Sequence, residues 1–300
     1  MIGADAFPRL ENDMKSTTAA ALPDVPDLLH VDGLGVRLPT GRRAYVQAVR
    51  SVALTVKAGE RVGIVGESGS GKSVTVKAIA GLLPESPLVH VNGSIRFKGE
   101  ELIGARRATW QDIRSKRIGM IFQDPSSYLN PTMRIGQQVR ESLLAGRAVD
   151  HRQEEVFRFL SLAGLPASEQ VAERYPFELS GGMRQRVLIA IALAKKPELI
   201  IADEPTTALD ATVQRQVLKS LDDSVEALGT SLLLITHDLA VVAGLCDRVY
   251  VMYGGEVVES GTTEQIFNDP QHDYTRELLR CVRSLSDDSS DLYVSAYGSR

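Results

Sequence analysis

Short, almost wholly apolar runs alternate with amphipathic stretches over much of this chain. Runs at residues 61–65, 199–202 and 232–235 contain few polar side chains, as expected of strands that are buried on both faces of a parallel sheet. Residues 213–228 repeat apolar positions at helical spacing and end near Gly229, a residue type that commonly follows the last turn of a helix. The pattern predicts an α/β architecture.

The N-terminal third of the chain has a different pattern. Residues 1–27 are rich in proline and small polar residues, which indicates a loose tail. Apolar and polar residues alternate in short bursts over 28–56, and this predicts small antiparallel strands and turns. Residues 90–97 give a further hairpin signal, with Asn92-Gly93 as the turn. An antiparallel β region is therefore expected beside the α/β core.

The middle of the chain is more helical. Apolar residues recur at helical spacing from residue 135 to residue 165, and Gly146 is expected to interrupt the helix. Near the C-terminus, residues 248–252 and 256–259 predict a hairpin around Gly254-Gly255.

Composition excludes several classes of protein. The 300 residues are 43% hydrophobic and carry a net charge of −4, so a core is available and a nucleic-acid partner has no electrostatic support. The two cysteines, Cys246 and Cys281, have no zinc-site spacing and indicate reduced thiols of a cytosolic protein. Residues 1–15 lack the apolar region of a signal peptide. The longest uncharged apolar run, 187–194, is too short to span a bilayer, so membrane work would need other chains.

The first chemical signal is the stretch from Gly66 to Ser73, which fits G-x-x-x-x-G-K-[ST] without a mismatch. Its glycines let the backbone curl so that successive N–H groups point at a phosphate. Lys72 would neutralise the β- and γ-phosphates, and the Ser73 hydroxyl would ligate Mg²⁺. The apolar run before it and a predicted helix over 74–80 would place the phosphates at a helix N-terminus. A glycine-rich turn is the alternative.

Two carboxylates, Asp203 and Glu204, follow the apolar run 199–202. At the end of a buried strand Asp203 could reach Mg²⁺, and Glu204 could polarise an attacking water. Without the phosphate loop, the same pattern could simply be the end of a strand.

A second anion-binding element is predicted at Ser180-Gly181-Gly182, which opens a helix over 183–194. One ATP needs one phosphate cradle, so a second cradle in the chain suggests a dimer in which each partner completes the other's site. The alternative is an ordinary serine N-cap followed by turn glycines.

Taken together, these motifs resemble those of ATP-binding-cassette ATPases, the nucleotide-binding subunits of ABC transporters. The resemblance covers about residues 28–283 and implies ATP and Mg²⁺ as cofactors. Gln123 matches the glutamine that ligates Mg²⁺ and senses the transmembrane subunits, and Ser180 to Gly182 match the signature that clamps the γ-phosphate of the opposing subunit's ATP. Glu204 matches the catalytic base, Asp210 lies in the D-loop match 208–210, and His237 matches the histidine that contacts the γ-phosphate.

The resemblance implies a P-loop NTPase, RecA-like core with an antiparallel β subdomain. It places an ATPase domain at 28–265, an inserted helical subdomain at about 124–182 and a short C-terminal extension at 266–300. Tyr45 is the candidate for stacking on adenine, or it packs on a strand. The predicted catalytic residues are Glu204 and His237, the predicted metal ligands are Ser73, Gln123 and Asp203, and the predicted nucleotide contacts are Gly66, Glu67, Ser68, Gly69, Ser70, Gly71, Lys72, Ser73, Val74, Gln123, Tyr45, Ser180, Gly181, Gly182 and Asp210.

Details of the motifs resemble those of importers of dipeptides, oligopeptides and nickel. They include residues 122–125 with 129–131, residues 203–210, and a C-terminal element at 270–275 in which Asp273 replaces a proline. This resemblance implies two transmembrane permease subunits, a second ATPase subunit arranged head to tail, an indirect solute-binding protein outside the membrane and a location on the cytoplasmic face of the inner membrane. Peptides, nickel complexes and opine-like solutes stay open as cargo, and no iron–sulfur cluster is expected because the chain ends soon after Cys281.

Two other classes remain. One is a soluble ABC protein of translation or DNA repair, which would usually hold tandem cassettes or a long coiled-coil insertion. The other is a P-loop kinase or GTPase, which would not need Ser180-Gly181-Gly182. Co-purification with integral membrane subunits would separate the transporter hypothesis from both.

Overall fold

The computed structural model describes residues 27–41, 44–146, 153–207 and 209–286. The strands in this part of the chain are β1 (Asp27–Pro39), β2 (Tyr45–Lys57), β3 (Arg61–Val65), β4 (His90–Phe97), β5 (Glu100–Glu101), β6 (Ile118–Ile121), β7 (Leu199–Asp203), β8 (Ser231–Ile235), β9 (Arg248–Tyr253) and β10 (Glu256–Thr262). The helices are α1 (Lys72–Ile79), α2 (Arg107–Asp112), α3 (Ile135–Gly146), α4 (Gln153–Leu162), α5 (Ser168–Ala172), α6 (Gly181–Ala194), α7 (Ala211–Leu228), α8 (Leu239–Leu245), α9 (Thr263–Asn268) and α10 (Asp273–Ser286).

The described strands form one sheet in the order β5-β4-β1-β2-β10-β9-β3-β8-β7-β6. Strands β9, β3, β8, β7 and β6 pair in parallel, whereas β1 pairs antiparallel with both β2 and β4. The parallel half places the carboxyl ends of β3, β8, β7 and β6 along one edge, which is where ligands bind in open α/β sheets.

Two hydrophobic cores lie on opposite faces of the parallel strands. Along β8, Leu232 and Leu234 join the core formed with α3, α4, α6, α7 and α8, whereas Leu233 and Ile235 join the core formed with α1, β1, β2 and β4. This division follows the two-residue period of a strand. It explains why the sequence of these strands is continuously apolar rather than alternating.

Most of the predicted elements are confirmed. The buried runs become β3, β7 and β8, the segment from residue 135 forms α3 and α4, and α7 ends before Gly229, which has the left-handed conformation. The predicted interruption after Gly146 lies outside the described residues. The hairpin of β9 and β10 turns at Gly254-Gly255. Among the described residues, no helix is both long enough and apolar enough to cross a bilayer.

Antiparallel strands over 28–56 are confirmed, but their predicted small size is wrong, because this segment forms the two 13-residue strands β1 and β2, which pair antiparallel. Register shifts along β1, such as the one between Asp32 and Gly35 against β4, absorb the irregular polar pattern. The predicted tail at 1–27 lies outside the described residues except for Asp27, which begins β1.

The Asn92-Gly93 hairpin turn is also wrong, because both residues lie inside the continuous strand β4. Gly93 has φ +98°, and a Cβ there would lie 2.4 Å from the carbonyl oxygen of Gly33. Glycine is therefore required for close approach to β1 at the register shift, and a turn is not needed to explain it.

Candidate nucleotide site

Four loops meet at the carboxyl edge of the parallel strands. The loop after β3 begins with Gly66, the chain after β7 carries Glu204, the chain after β8 carries His237, and the chain after β6 carries Gln123. Since β3, β8, β7 and β6 are neighbours in the sheet, the fold brings together residues that are far apart in sequence. This arrangement is the one expected from the strand order rule for α/β sheets.

The loop from Gly66 to Gly71 has a shape that only glycine permits at two points. A Cβ at Gly66 would lie 2.1 Å from the carbonyl oxygen of Met252, and a Cβ at Gly71 would lie 2.5 Å from that of Ala48. Both glycines have positive φ, at +151° and +100°. The hydroxyl oxygen of Ser70 is buried and has no hydrogen-bond partner among the described residues. A phosphate would supply what such a buried polar atom requires.

Lys72, the first residue of α1, folds back over this loop. Its Nζ donates hydrogen bonds to the carbonyl oxygens of Gly66 at 2.7 Å and Glu67 at 2.8 Å. Burial lowers the pKa of Lys72, and the carboxylates of Glu204 and Asp203 act in the opposite direction. A desolvated ammonium beside a curled loop at a helix N-terminus fits the phosphates of a nucleotide.

Ser73 and Asp203 form the part of the site that could hold a metal. The Ser73 hydroxyl donates a hydrogen bond of 2.8 Å to Oδ1 of Asp203. Burial raises the pKa of Asp203 above its ordinary value, against the opposing effects of this hydrogen bond and of Lys77. One hydroxyl and one carboxylate, all oxygen donors, are a typical protein contribution to Mg²⁺, which completes its shell with water and phosphate oxygens.

Glu204 and His237 lie together beside the loop. Glu204 has φ +47°, its N–H donates to the carbonyl oxygen of Ile235 at 2.9 Å, and its Oε2 accepts a hydrogen bond from Thr207 at 2.9 Å. The same Oε2 lies 3.5 Å from Nδ1 of His237, whose side chain is 61% exposed. A half-buried carboxylate held from two sides could orient and deprotonate a water, and the exposed imidazole could contact a γ-phosphate.

The predicted second anion element forms a well-defined helix N-terminus at a separate place. Ser180 caps α6 by accepting a hydrogen bond of 3.3 Å from the Met183 N–H. It is exposed, and no hydrogen bond among the described residues joins it to the phosphate loop. Gly182 is buried, and a Cβ there would lie 2.3 Å from Cγ1 of Val213 on α7.

The remaining predicted contacts have varied surroundings. Asp210 caps α7 by accepting from the Val213 N–H at 3.0 Å, and Ala208 lies outside the described residues. Gln123 is exposed, and Val74 packs partly buried against the core beneath α1.

Tyr45 does not reach the phosphate loop through any described contact. Its ring lies 5.9 Å from that of His90, and the Arg37 guanidinium carbon lies 5.1 Å from its centroid. The side chain is 38% exposed. Both hypotheses for this residue, stacking on adenine and packing on a strand, therefore stay predictions.

The sequence did not predict two features behind the phosphate loop, a cavity and a contact with Tyr274. A cavity of about 430 Å³ borders its outer side and is lined in part by Arg50, Tyr253 and Glu256. The hydroxyl of Tyr274 accepts a hydrogen bond from the Glu67 N–H at 3.0 Å. The only signal for Tyr274 was its place in the element at 270–275, and that signal did not indicate a contact with the loop.

Comparison with known proteins agrees with this geometry. Residues 49–207 match the family described as ABC transporter. The oligopeptide transport ATP-binding protein OppD of Bacillus subtilis is 47% identical over 263 residues, covering 87% of this chain and 73% of OppD. The probable D,D-dipeptide transport ATP-binding protein DdpD of Escherichia coli is 47% identical, covering 85% of this chain and 78% of DdpD.

Solved structures show the same fold. The ATP-binding cassette MJ0796, in a dimeric post-hydrolysis state bound to ADP and Pi, has a TM-score of 0.69 and 29% identity, covering 78% of this chain and 98% of that one. The protein cbiO1 from Clostridium perfringens, part of the transporter complex cbiONQ, has a TM-score of 0.69 and 26% identity, covering 89% of this chain and 97% of that one.

Proposed function

Because this chain belongs to the ABC transporter family, we propose that it is the ATP-hydrolysing subunit of an importer for peptides or related small solutes. Its relatives are named as oligopeptide and dipeptide transport ATP-binding proteins at 42–47% identity, which supports peptides as the cargo class. Nickel complexes and opine-like solutes remain within the same proposal, since cargo would be recognised by subunits other than this one.

The observation that carries the proposal is the convergence of three strand ends on one oxygen-rich site. The chain is an ABC ATPase, and ATP is its nucleotide. We assign the triphosphate to the loop from Gly66 to Ser73, with Lys72 balancing its charge. The 2.8 Å contact of Ser73 with Asp203 supports these two residues as Mg²⁺ ligands, with Gln123 as a third ligand on the adjoining strand end.

For hydrolysis, Glu204 orients and deprotonates the attacking water, and His237 holds the γ-phosphate. Their 3.5 Å separation at the ends of adjacent strands supports this pairing. The chemistry would rest on positioning and on stabilisation of developing charge, as in phosphoryl transfer generally.

A second ATPase subunit would complete each site. Ser180 is the exposed N-cap of α6, Gly182 lies buried in its first turn, and no described hydrogen bond joins Ser180 to the phosphate loop of its own chain. A head-to-tail pair would place each α6 N-terminus on the partner's γ-phosphate, where its backbone N–H groups and dipole favour negative charge. The dimeric form of the cassette MJ0796 supports this arrangement, and both a second copy of this chain and a related ATPase chain are candidates for the partner.

The permease contact is proposed at an apolar cleft next to Gln123. The cleft has a volume of about 250 Å³ and is lined by Phe122, Tyr128 and Leu188 among others. The rings of Phe122 and Tyr128 stack with centroids 3.6 Å apart, and Tyr128 is 51% exposed. An exposed aromatic side chain beside an apolar cleft favours a partner, and we assign this cleft to contact with one of the two transmembrane permease subunits. The chain would then act at the cytoplasmic face of the membrane, with the solute-binding protein on the other side.

Reconstitution tests this function. The full chain would be expressed with its neighbouring permease and binding-protein chains, purified through an affinity tag on this chain and placed in liposomes. We expect integral membrane subunits to co-purify and ATP hydrolysis to rise when peptide-loaded binding protein is added. A chain that purifies without membrane subunits, and whose ATPase ignores them, would favour the soluble non-transport ABC class instead.

A further inference from the structure

The start of α10 is bound to the back of the phosphate loop. Tyr274 is 9% exposed, and its hydroxyl oxygen accepts the Glu67 N–H at 3.0 Å. Its ring lies 4.4 Å from the ring of Tyr253, at the end of β9. Burial raises the pKa of Tyr274 above its ordinary value, so the hydroxyl is neutral at physiological pH.

The end of β9 supports the same loop through further contacts. The Gly255 N–H donates to the carbonyl oxygen of Ser70 at 3.1 Å, and the carbonyl of Met252 leaves no room for a side chain at Gly66. The start of α10 is itself fixed by Glu259 of β10, whose carboxylate accepts the Gln271 N–H at 2.6 Å and the His272 N–H at 3.1 Å. The hairpin and α10 therefore hold the loop from its outer side.

A backbone N–H has one hydrogen to donate, and the Glu67 N–H donates it to the Tyr274 hydroxyl. This fixes the orientation of the Glu67 peptide group, directly after Gly66, where the loop begins to curl. A loop that is already curled pays less conformational entropy when an anion binds. A contact that keeps the loop curled would therefore act on nucleotide affinity without touching the nucleotide.

We propose that Tyr274 is a positioning residue of the nucleotide site, and that docking of α10 and binding of nucleotide stabilise each other. This inference rests on the proposed role of residues 66–73 as the phosphate cradle. The C-terminal element at 270–275 would then support the ATPase site, although the sequence predicts that it belongs to a separate extension at 266–300.

The test compares Tyr274→Phe with the matched control Tyr250→Phe in the full chain. The Tyr250 hydroxyl also accepts a backbone N–H, that of Thr55 at 3.0 Å, together with a hydrogen bond of 2.9 Å from Arg248, and Tyr250 is 5% exposed. Its hydroxyl has no described hydrogen bond to the phosphate loop. Affinity for ADP with Mg²⁺ would be measured by calorimetry, and stability by thermal unfolding. We expect Tyr274→Phe to weaken ADP binding about three- to tenfold, as for one lost hydrogen bond, while Tyr250→Phe lowers stability and leaves ADP affinity at the wild-type level.

Equal ADP affinity in wild type and Tyr274→Phe would overturn the inference, and so would an equal loss in both variants. Failure of the wild type to bind ADP would instead refute the assignment of the phosphate cradle. A second measurement needs no variant, because coupling is reciprocal. If docked α10 favours ADP, then ADP must slow hydrogen exchange of the α10 backbone by a similar factor in the wild type, and unchanged exchange there would contradict the proposal.

Discussion

Two adjacent glycines at the start of α6 offer a sharp test of packing. A Cβ at Gly182 would lie 2.3 Å from Cγ1 of Val213, far inside contact distance, whereas a Cβ at Gly181 would meet only Cδ2 of Leu209 at 3.4 Å. Val213 is β-branched and lies in a helix, so its side chain has essentially one rotamer and cannot turn away. We therefore expect Gly182→Ala to be destabilising and Gly181→Ala to be tolerated.

The magnitude follows from two opposing effects. Overpacking of a buried contact costs about 1–3 kcal/mol, and replacing glycine by alanine in a helix gains up to about 1 kcal/mol. The gain is common to both variants, so the difference between them isolates the clash. Gly182→Ala is expected to unfold with a free energy about 1–3 kcal/mol below that of Gly181→Ala.

Equilibrium denaturation of the full chain measures this difference. The midpoint should move while the slope stays constant, which marks a change in stability alone. Activity would not separate the two variants, because both glycines lie in the proposed contact with the partner's ATP. If Gly182→Ala is as stable as Gly181→Ala, then α6 and α7 are not closely packed at Gly182.

Two further predictions concern the carboxylates after β7. Glu204→Gln should lower ATP turnover by at least about 100-fold, since it removes the general base, and should leave ATP affinity near that of the wild type. Steady-state hydrolysis and nucleotide titration measure these two effects. Hydrolysis at the wild-type rate would reject Glu204 as the base. Asp203→Asn should abolish Mg²⁺-dependent hydrolysis yet raise stability at pH 7, because burial raises the pKa of Asp203 and so disfavours its charged form in the fold. The gain should vanish below pH 3.8, the ordinary pKa of the group, grow between that pH and the raised pKa, and stay constant above it. Unfolding curves across pH would contradict this if the variant were less stable than wild type at pH 7.

The sequence predicts those parts of the site whose chemistry requires particular residues at fixed local spacing. Residues 66–73 are recognisable because close approach to Met252 and Ala48 tolerates only glycine at two positions. The meeting of Ser73 with Asp203 follows from the topology, since Asp203 ends β7, the loop that leads to Ser73 follows β3, and parallel strands end at one edge.

Features that depend on distant partners were not predictable in this way. The Asn92-Gly93 pair has the local chemistry of a turn, but its glycine serves the approach of β4 to β1, which the local sequence does not show. The contact of Tyr274 with Glu67 spans 207 positions in the chain, and no periodicity or spacing rule encodes it.

The alternation of residues along β8 has a consequence for how the molecule comes apart. Neighbouring side chains of this strand pack into opposite cores. Unfolding of either core would therefore disrupt the strands that the other core needs. The helical face and the antiparallel face should then behave as a single cooperative unit, with one calorimetric transition. The nucleotide site, built on the tips of the same strands, would vanish in that transition and not in an earlier, separate step.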